Sequence, residues 1–193
     1  MTCDDTAALV ARARRGEAAA FELLVRHHFR AAYAVALAVL QSPAEAEDMA
    51  QEAFLVAFQR LQTCREPQRF AGWLVQIVRN RALNALASFK LRARAAEQAS
   101  QGRPQSAQAP EVAGEKERLC AALGQVSPAQ REVVLLHDLE GWTHPEIAAA
   151  LGISEVMSRQ HLFQARKALR ALLAESVAKT GADGAQGGRH DDR

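Results

Sequence analysis

The chain has few of the residues from which sheets are built: aromatics are 5% of 193 residues, and 3 isoleucines, 13 valines and 5 threonines stand against 41 alanines. Alanine favours helix intrinsically and β-branched residues favour strands, so the composition predicts an all-α fold. Cysteine is scarce as well. Cys3, Cys64 and Cys120 are odd in number, far apart and without a CxxC pair, which excludes a disulfide framework and points to reduced thiols in a cytoplasmic protein. Charge of one sign is not in excess: 24 basic against 22 acidic side chains leave a net +2, so any contact with a polyanion must come from local patches. Long apolar runs are missing too. The longest, residues 31–40, is half of the roughly 20 residues a bilayer requires, so no membrane insertion is expected. The start, MTCDDTAALVARARRG, lacks the pattern of a secretory signal.

Catalytic signatures are absent from the sequence: it holds no GxxxxGK[ST] loop, GxSxG elbow or GxGxxG turn, so neither an enzyme nor a cofactor is expected. His27, His28, His137, His144 and His161 include no HxxxH pair, and none has an acid three residues before it, so no metal site is expected either.

What is present falls into two parts. Residues 98–114, QASQGRPQSAQAPEVAG, replace apolar periodicity with Gly, Pro, Ser and Gln, a composition that cannot bury enough surface to offset its ordering entropy. They read as a flexible linker between a domain at 1–97 and another at 115–175, and residues 176–193 read as a disordered tail. In the first domain Asp4 and Asp5 are expected to cap a short helix through Arg15, and Gly16 breaks it before a long helix over 17–40. Ser42, Pro43 and Glu45 then give a strong start signal. The helix they open carries Ala46, Met49, Ala50, Ala53, Phe54, Ala57, Phe58 and Leu61 as a stripe for burial, with Glu45, Asp48 and Glu52 aligned on another face. A further helix from Phe70 into the 90s presents Gln76, Asn80, Asn84 and Ser88 as one polar row, followed by Lys90, Arg92 and Arg94.

The second domain has three marked helix starts, at Ser127-Pro128 with Gln130, at Thr143 with Glu146, and at Ser154, the last opening a helix to about Ala174. Between the last two helices, Ala148, Gly152, Ile153 and Ser154 supply the small contact residue, turn and cap of a helix-turn-helix. In its second helix Ser158, Leu162, Ala165, Leu169 and Leu172 form the packing stripe. That register turns Arg159, Gln160, Phe163 and Gln164 outward near the helix start, where base contacts are made, and Arg166, Lys167 and Arg170 add positive charge beyond them.

In order, ALVARARRGEAAAFELLVRHHF, AEAEDMAQEAFLVAFQRL, FAGWLVQIVRNRALNAL and SPAQREVVLLHDLEGWTHPEIAAALGISEVMSRQHLFQARKALR resemble the extracytoplasmic-function (ECF) type of bacterial RNA polymerase sigma factor, which keeps only regions two and four. The resemblance covers about residues 7–172. It implies that Glu45, Asp48, Gln51 and Glu52 dock on the β′ subunit of core RNA polymerase, the second domain lying on β. It implies that Asn80 and Asn84, with Trp73 and a loop over 64–69 that includes Cys64 and Arg65, capture a flipped base of the single-stranded −10 element. Amide side chains suit that task, because they both donate and accept. Arg159, Gln160, Phe163, Gln164 and Arg166 are then expected on duplex −35 DNA, where Arg reads guanine and Gln reads adenine. An anti-sigma factor is a further implied partner. The sequence departs from the family at Val156-Met157, Gln164 and Cys64, where Gly-Thr, a basic residue and an aromatic are common. The alternative is a stand-alone helix-turn-helix regulator, which binds DNA without polymerase.

Overall fold

The computed structural model describes residues 3–99 and 114–183. Residues 100–113 of the expected linker and 184–193 of the expected tail lie outside the described residues. Every regular element among the described residues is helical, in agreement with the alanine-rich composition.

The first bundle holds α1 (Cys3–Arg14), α2 (Ala18–Leu40), α3 (Pro43–Gln59) and α4 (Phe70–Ala99), with short 3-10 turns at Leu61–Thr63 and Pro67–Arg69. Asp4 and Asp5 fall inside the first turn of α1 rather than before it. Gly16 turns the chain at φ +90°, and the Glu17 carboxylate then takes up Arg12 and Arg15, whose guanidinium groups hold it below its usual range. The Ser42 hydroxyl accepts from the Glu45 amide and Pro43 opens α3, as the sequence predicts.

Helix α2 is the axis of the molecule. It is long and apolar enough to cross a membrane by composition, yet it packs against α1, α3 and α4 and buries Leu24, Ala31, Ala32, Ala34, Val35 and Ala36 among them. Alanine brings helix axes close because little side chain separates them. Ala46, Ala50, Ala53, Phe54 and Ala57 of α3 face it. Phe58 departs from the expected stripe: it is exposed, with its ring set edge-on to Phe21 at 4.9 Å.

The second bundle holds α5 (Glu115–Gln125), α6 (Pro128–Val134), a π-helical turn (Leu135–Leu139), α7 (His144–Leu151) and α8 (Glu155–Asp183). Reciprocal caps start α6 at Ser127 with Gln130 and α7 at Thr143 with Glu146. Gly152 supplies the turn at φ +69°, a left-handed conformation that a Cβ disfavours. Helix α8 runs on to Asp183, past the expected end near Ala174 and into the segment read as tail. Val133, Leu136, Ile147, Leu162, Ala165 and Leu169 form the core of this half.

The two halves are not held only by the linker. Helix α2 also packs on α6 and the π turn, and α4 packs on α7, so the buried residues of both halves form one contiguous core.

Candidate polymerase and nucleic-acid surfaces

The capping of α3 fixes its register, and with it the acidic face. Asp48, Gln51 and Glu52 are exposed and Glu45 is half-buried at the helix start, so the four share one accessible side. Glu52 is paired with Arg81 of α4. One turn beyond Glu52 stands Leu55, 66% exposed, which reading the sequence as stripes did not single out. An apolar side chain that continues an acidic row makes a mixed face suited to a protein partner. The signal was its spacing, three residues after Glu52 and seven after Asp48.

The loop between α3 and α4 is pinned from below. Arg14 donates to the carbonyls of Leu61 and Cys64, and the Gln62 side chain donates back to the Arg14 carbonyl at 3.2 Å. The Cys64 thiol is 1% exposed and lies 3.7 Å from the Glu66 carbonyl, with its pKa raised by burial. Cys64, expected on the −10 strand, has its thiol packed inward, while Arg65 beside it is exposed. Trp73, half-buried 5.8 Å from Phe70, faces this loop across a cleft also lined by Gln68, Arg69 and Gln76. His28 closes its floor. It is neutral, because burial and neighbouring His27 push its pKa down to about 4, and its Nε2 has no partner. From this cleft the row Gln76, Asn80, Asn84, Ser88 runs exposed along α4, as the four-residue spacing predicts. Lys90, Arg92 and Arg94 continue it, with Arg92 over the Phe89 ring at 4.9 Å.

In α8 the Ser154 hydroxyl accepts from the Met157 amide, and buried Ser158 shares a 2.9 Å hydrogen bond with His144 Nδ1, which ties the helix start to α7. Arg159, Gln160, Phe163 and Gln164 all face outward, as expected. Two of them are already oriented: Arg159 donates to Glu155 at 3.1 Å, and Gln164 accepts from Gln130 at 3.0 Å. Arg166 grips both carboxylate oxygens of Asp138 in the π turn, so it is part of a fixed pair rather than a loose cation. That pairing holds the Asp138 carboxyl below its usual range. The structure thus gathers the acidic residues on α3, the amides and Trp73 on α4, and Arg159, Gln160, Phe163 and Gln164 on α8, three separate faces.

The family patterns match in the same order, Sigma-70 region 2 over residues 24–91 and Sigma-70 region 4 over residues 116–169. SigL of Mycobacterium tuberculosis, an ECF RNA polymerase sigma factor, is 32% identical over 171 residues, which cover 87% of this chain and 97% of SigL. This chain belongs to the ECF family of RNA polymerase sigma factors. CarQ of Myxococcus xanthus is 33% identical over 166 residues, covering 85% of this sigma factor and 95% of CarQ. RfaY of Xanthomonas campestris is 37% identical over 146 residues; those cover 71% of this chain and 36% of RfaY. CnrH, solved with the cytosolic domain of CnrY, superposes with a TM-score of 0.65 at 25% identity, covering 89% of this sigma factor and 98% of CnrH. The sigma factor RpoE in complex with the anti-sigma factor NepR, from Bartonella quintana, shares the fold at a TM-score of 0.66 and 20% identity, over 80% of this chain and 96% of RpoE.

Sigma factors are transcription-initiation factors that partner core RNA polymerase and promoter DNA.

Proposed function

We propose that this sigma factor divides its work by bundle. The acidic face of α3, Glu45, Asp48, Gln51 and Glu52 with Leu55, docks on the β′ subunit, and the second bundle lies on β. The cleft beside Trp73 and Arg65 captures a flipped base of the −10 strand, and Asn80 and Asn84 hold its neighbours. A neutral amide row beside a basic one suits single-stranded DNA, since the amides meet base edges and the cations meet phosphates. In duplex −35 DNA, Arg159, Gln160, Phe163 and Gln164 meet base edges in the major groove, and Arg166 stands near phosphate.

The observation that carries this reading is the register of α8. Ser158, Leu162, Ala165 and Leu169 are buried, which leaves the four reading side chains outward over the first turns of the helix. The protein acts in the cytoplasm, where the polymerase is. Both similar structures quoted above hold a partner chain, in one case named an anti-sigma factor, and a regulator of that class is proposed here too.

The test is run-off transcription with purified core RNA polymerase on a genomic fragment library. Discrete start sites that depend on the added chain are expected. Retardation of DNA by the chain alone, with neither core association nor initiation, would instead identify a stand-alone helix-turn-helix regulator.

A further inference from the structure

Helix α8 carries apolar side chains that its own packing does not use. Val156 and Phe163 are each 70% exposed, and Met157 is 45% exposed. At about 100° per residue, Val156, Gln160, Phe163 and Lys167 fall within an arc of about 60° and stand in single file along the helix. All four are exposed. Ser158, Leu162, Ala165 and Leu169 are buried on the other side, so the file cannot turn inward without bringing the core out. The rise from Val156 to Phe163 is about 10 Å, the length of three stacked base pairs.

The start of the file is fixed by local bonds. The Met157 amide donates to the Ser154 hydroxyl at 3.1 Å and the Ser158 amide to the Ser154 carbonyl at 2.9 Å, while buried Ser158 is tied to His144 of α7. Valine is β-branched and keeps one dominant χ1 rotamer in a helix, so the Val156 methyls are presented in one place with little entropy left to lose. The surroundings decide what those methyls can meet. Arg159, Arg166, Lys167 and Arg170 flank the file, and no acid occurs between Arg159 and Arg170. Glu155, the acid just before them, stands about 100° round the helix from Val156 and is paired with Arg159. A methyl-bearing surface inside a frame of cations fits a polyanion with apolar groups on the floor of a groove. In duplex DNA of the four ordinary bases that combination occurs at thymine, whose C5-methyl lies in the major groove. Cytosine presents an amino donor there instead, which a valine would desolvate without pairing.

We propose that Val156 is a specificity-determining residue that takes a thymine C5-methyl in the −35 element, next to the base edge met by Gln160. The inference rests on the −35 role proposed for α8 and adds a base identity to it: an A·T pair lies at the Val156 end of the file. Thymine is told from cytosine there by a methyl group and not by a hydrogen bond.

The test uses holoenzyme reconstituted from the full chain and core polymerase, on a promoter found by run-off transcription. Each −35 thymine is replaced in turn by deoxyuridine, which removes the C5-methyl and leaves every hydrogen-bonding group in place. One such replacement is expected to lower holoenzyme affinity by about fourfold, the effect of withdrawing one methyl from burial. Val156→Ala puts a stronger helix former in the first turn, so the fold is kept. It is expected to weaken binding to the thymine promoter by a similar factor and to bind the thymine and uracil promoters equally. Indifference to uracil throughout the element, or a uracil effect that persists in full in Val156→Ala, overturns the proposal. Arg159→Ala on the same promoter reports the underlying role separately. If Arg159→Ala weakens binding and uracil does not, the thymine assignment alone falls; if neither has an effect, the −35 role of α8 falls with it.

Discussion

Arg159 is held by Glu155 and Arg166 by Asp138, so in the proposed −35 complex neither guanidinium has to be ordered from a freely rotating state. For Arg159 the carboxylate partner is exposed and one turn away, so exchanging it for a base edge costs little. Arg159→Ala is expected to weaken binding to a specific −35 duplex by about 1–3 kcal/mol and to relax preference at one base position. A titration against single-base variants of the duplex checks both. The role proposed for Asn80 comes later, with the strand already unpaired. Asn80→Ala should leave core binding and −35 affinity intact and reduce permanganate reactivity of the −10 thymines; unchanged reactivity would remove Asn80 from strand capture. His28 gives a pH dependence whose sign is fixed. Its folded pKa, about 4, lies below the unfolded 6.5, so only the unfolded chain takes a proton in that window, and stability is full above it and falls through it. Between pH 7 and pH 5 the loss is about 2 kcal/mol. Denaturant melts at the two values should show it, and His28→Phe should flatten the difference.

At the scale of elements, the turn between α7 and α8 sets the register of the face proposed to read −35 DNA. Gly152 has open space where a Cβ would go, so its constraint is the positive φ alone. Gly152→Ala is expected to lower stability by about 1–2 kcal/mol, measured by thermal unfolding, and to lower −35 affinity with it. Helix starts were legible because caps are local. Ser42, Ser127 and Thr143 each announce themselves within four residues, and each caps as expected. Helix α5 was not marked, since Gly114 stands at its N-cap without a side chain to signal it. The π turn was hidden because it reads as ordinary helix in any apolar pattern. Helix α8 outruns its expected end near Ala174: residues 175–183 hold no proline, and Gly181 costs a helix only about 1 kcal/mol. The exposed faces of α3, α4 and α8 were legible from periodicity. Cys64 was not, since its burial depends on Arg14 from another helix reaching over the loop.

The whole molecule shows where sequence reading stops. Arg79, Arg131 and Glu132 carry formal charge, and charge in isolation reads as solvent-facing; only the meeting of α2, α4 and α6 buries Arg131 and Glu132 and gives Glu132 its Arg79 partner. The near balance of charge also has a consequence at this scale. With a net charge of only +2, the binding proposed for the α4 and α8 faces should show a salt dependence of a few phosphates rather than of a general polycation. The claim at the centre of the account is that one chain, mounted on core polymerase, reads two separated promoter elements with two bundles. Footprinting of the reconstituted holoenzyme on a responsive promoter, with hydroxyl radical for the duplex and permanganate for the melted strand, tests it most directly. The account predicts protection at −35 that Arg159→Ala weakens, and melting at −10 that Asn80→Ala weakens, on the same fragment. Protection confined to one helix-turn-helix site, with no melting when core polymerase is present, would contradict it.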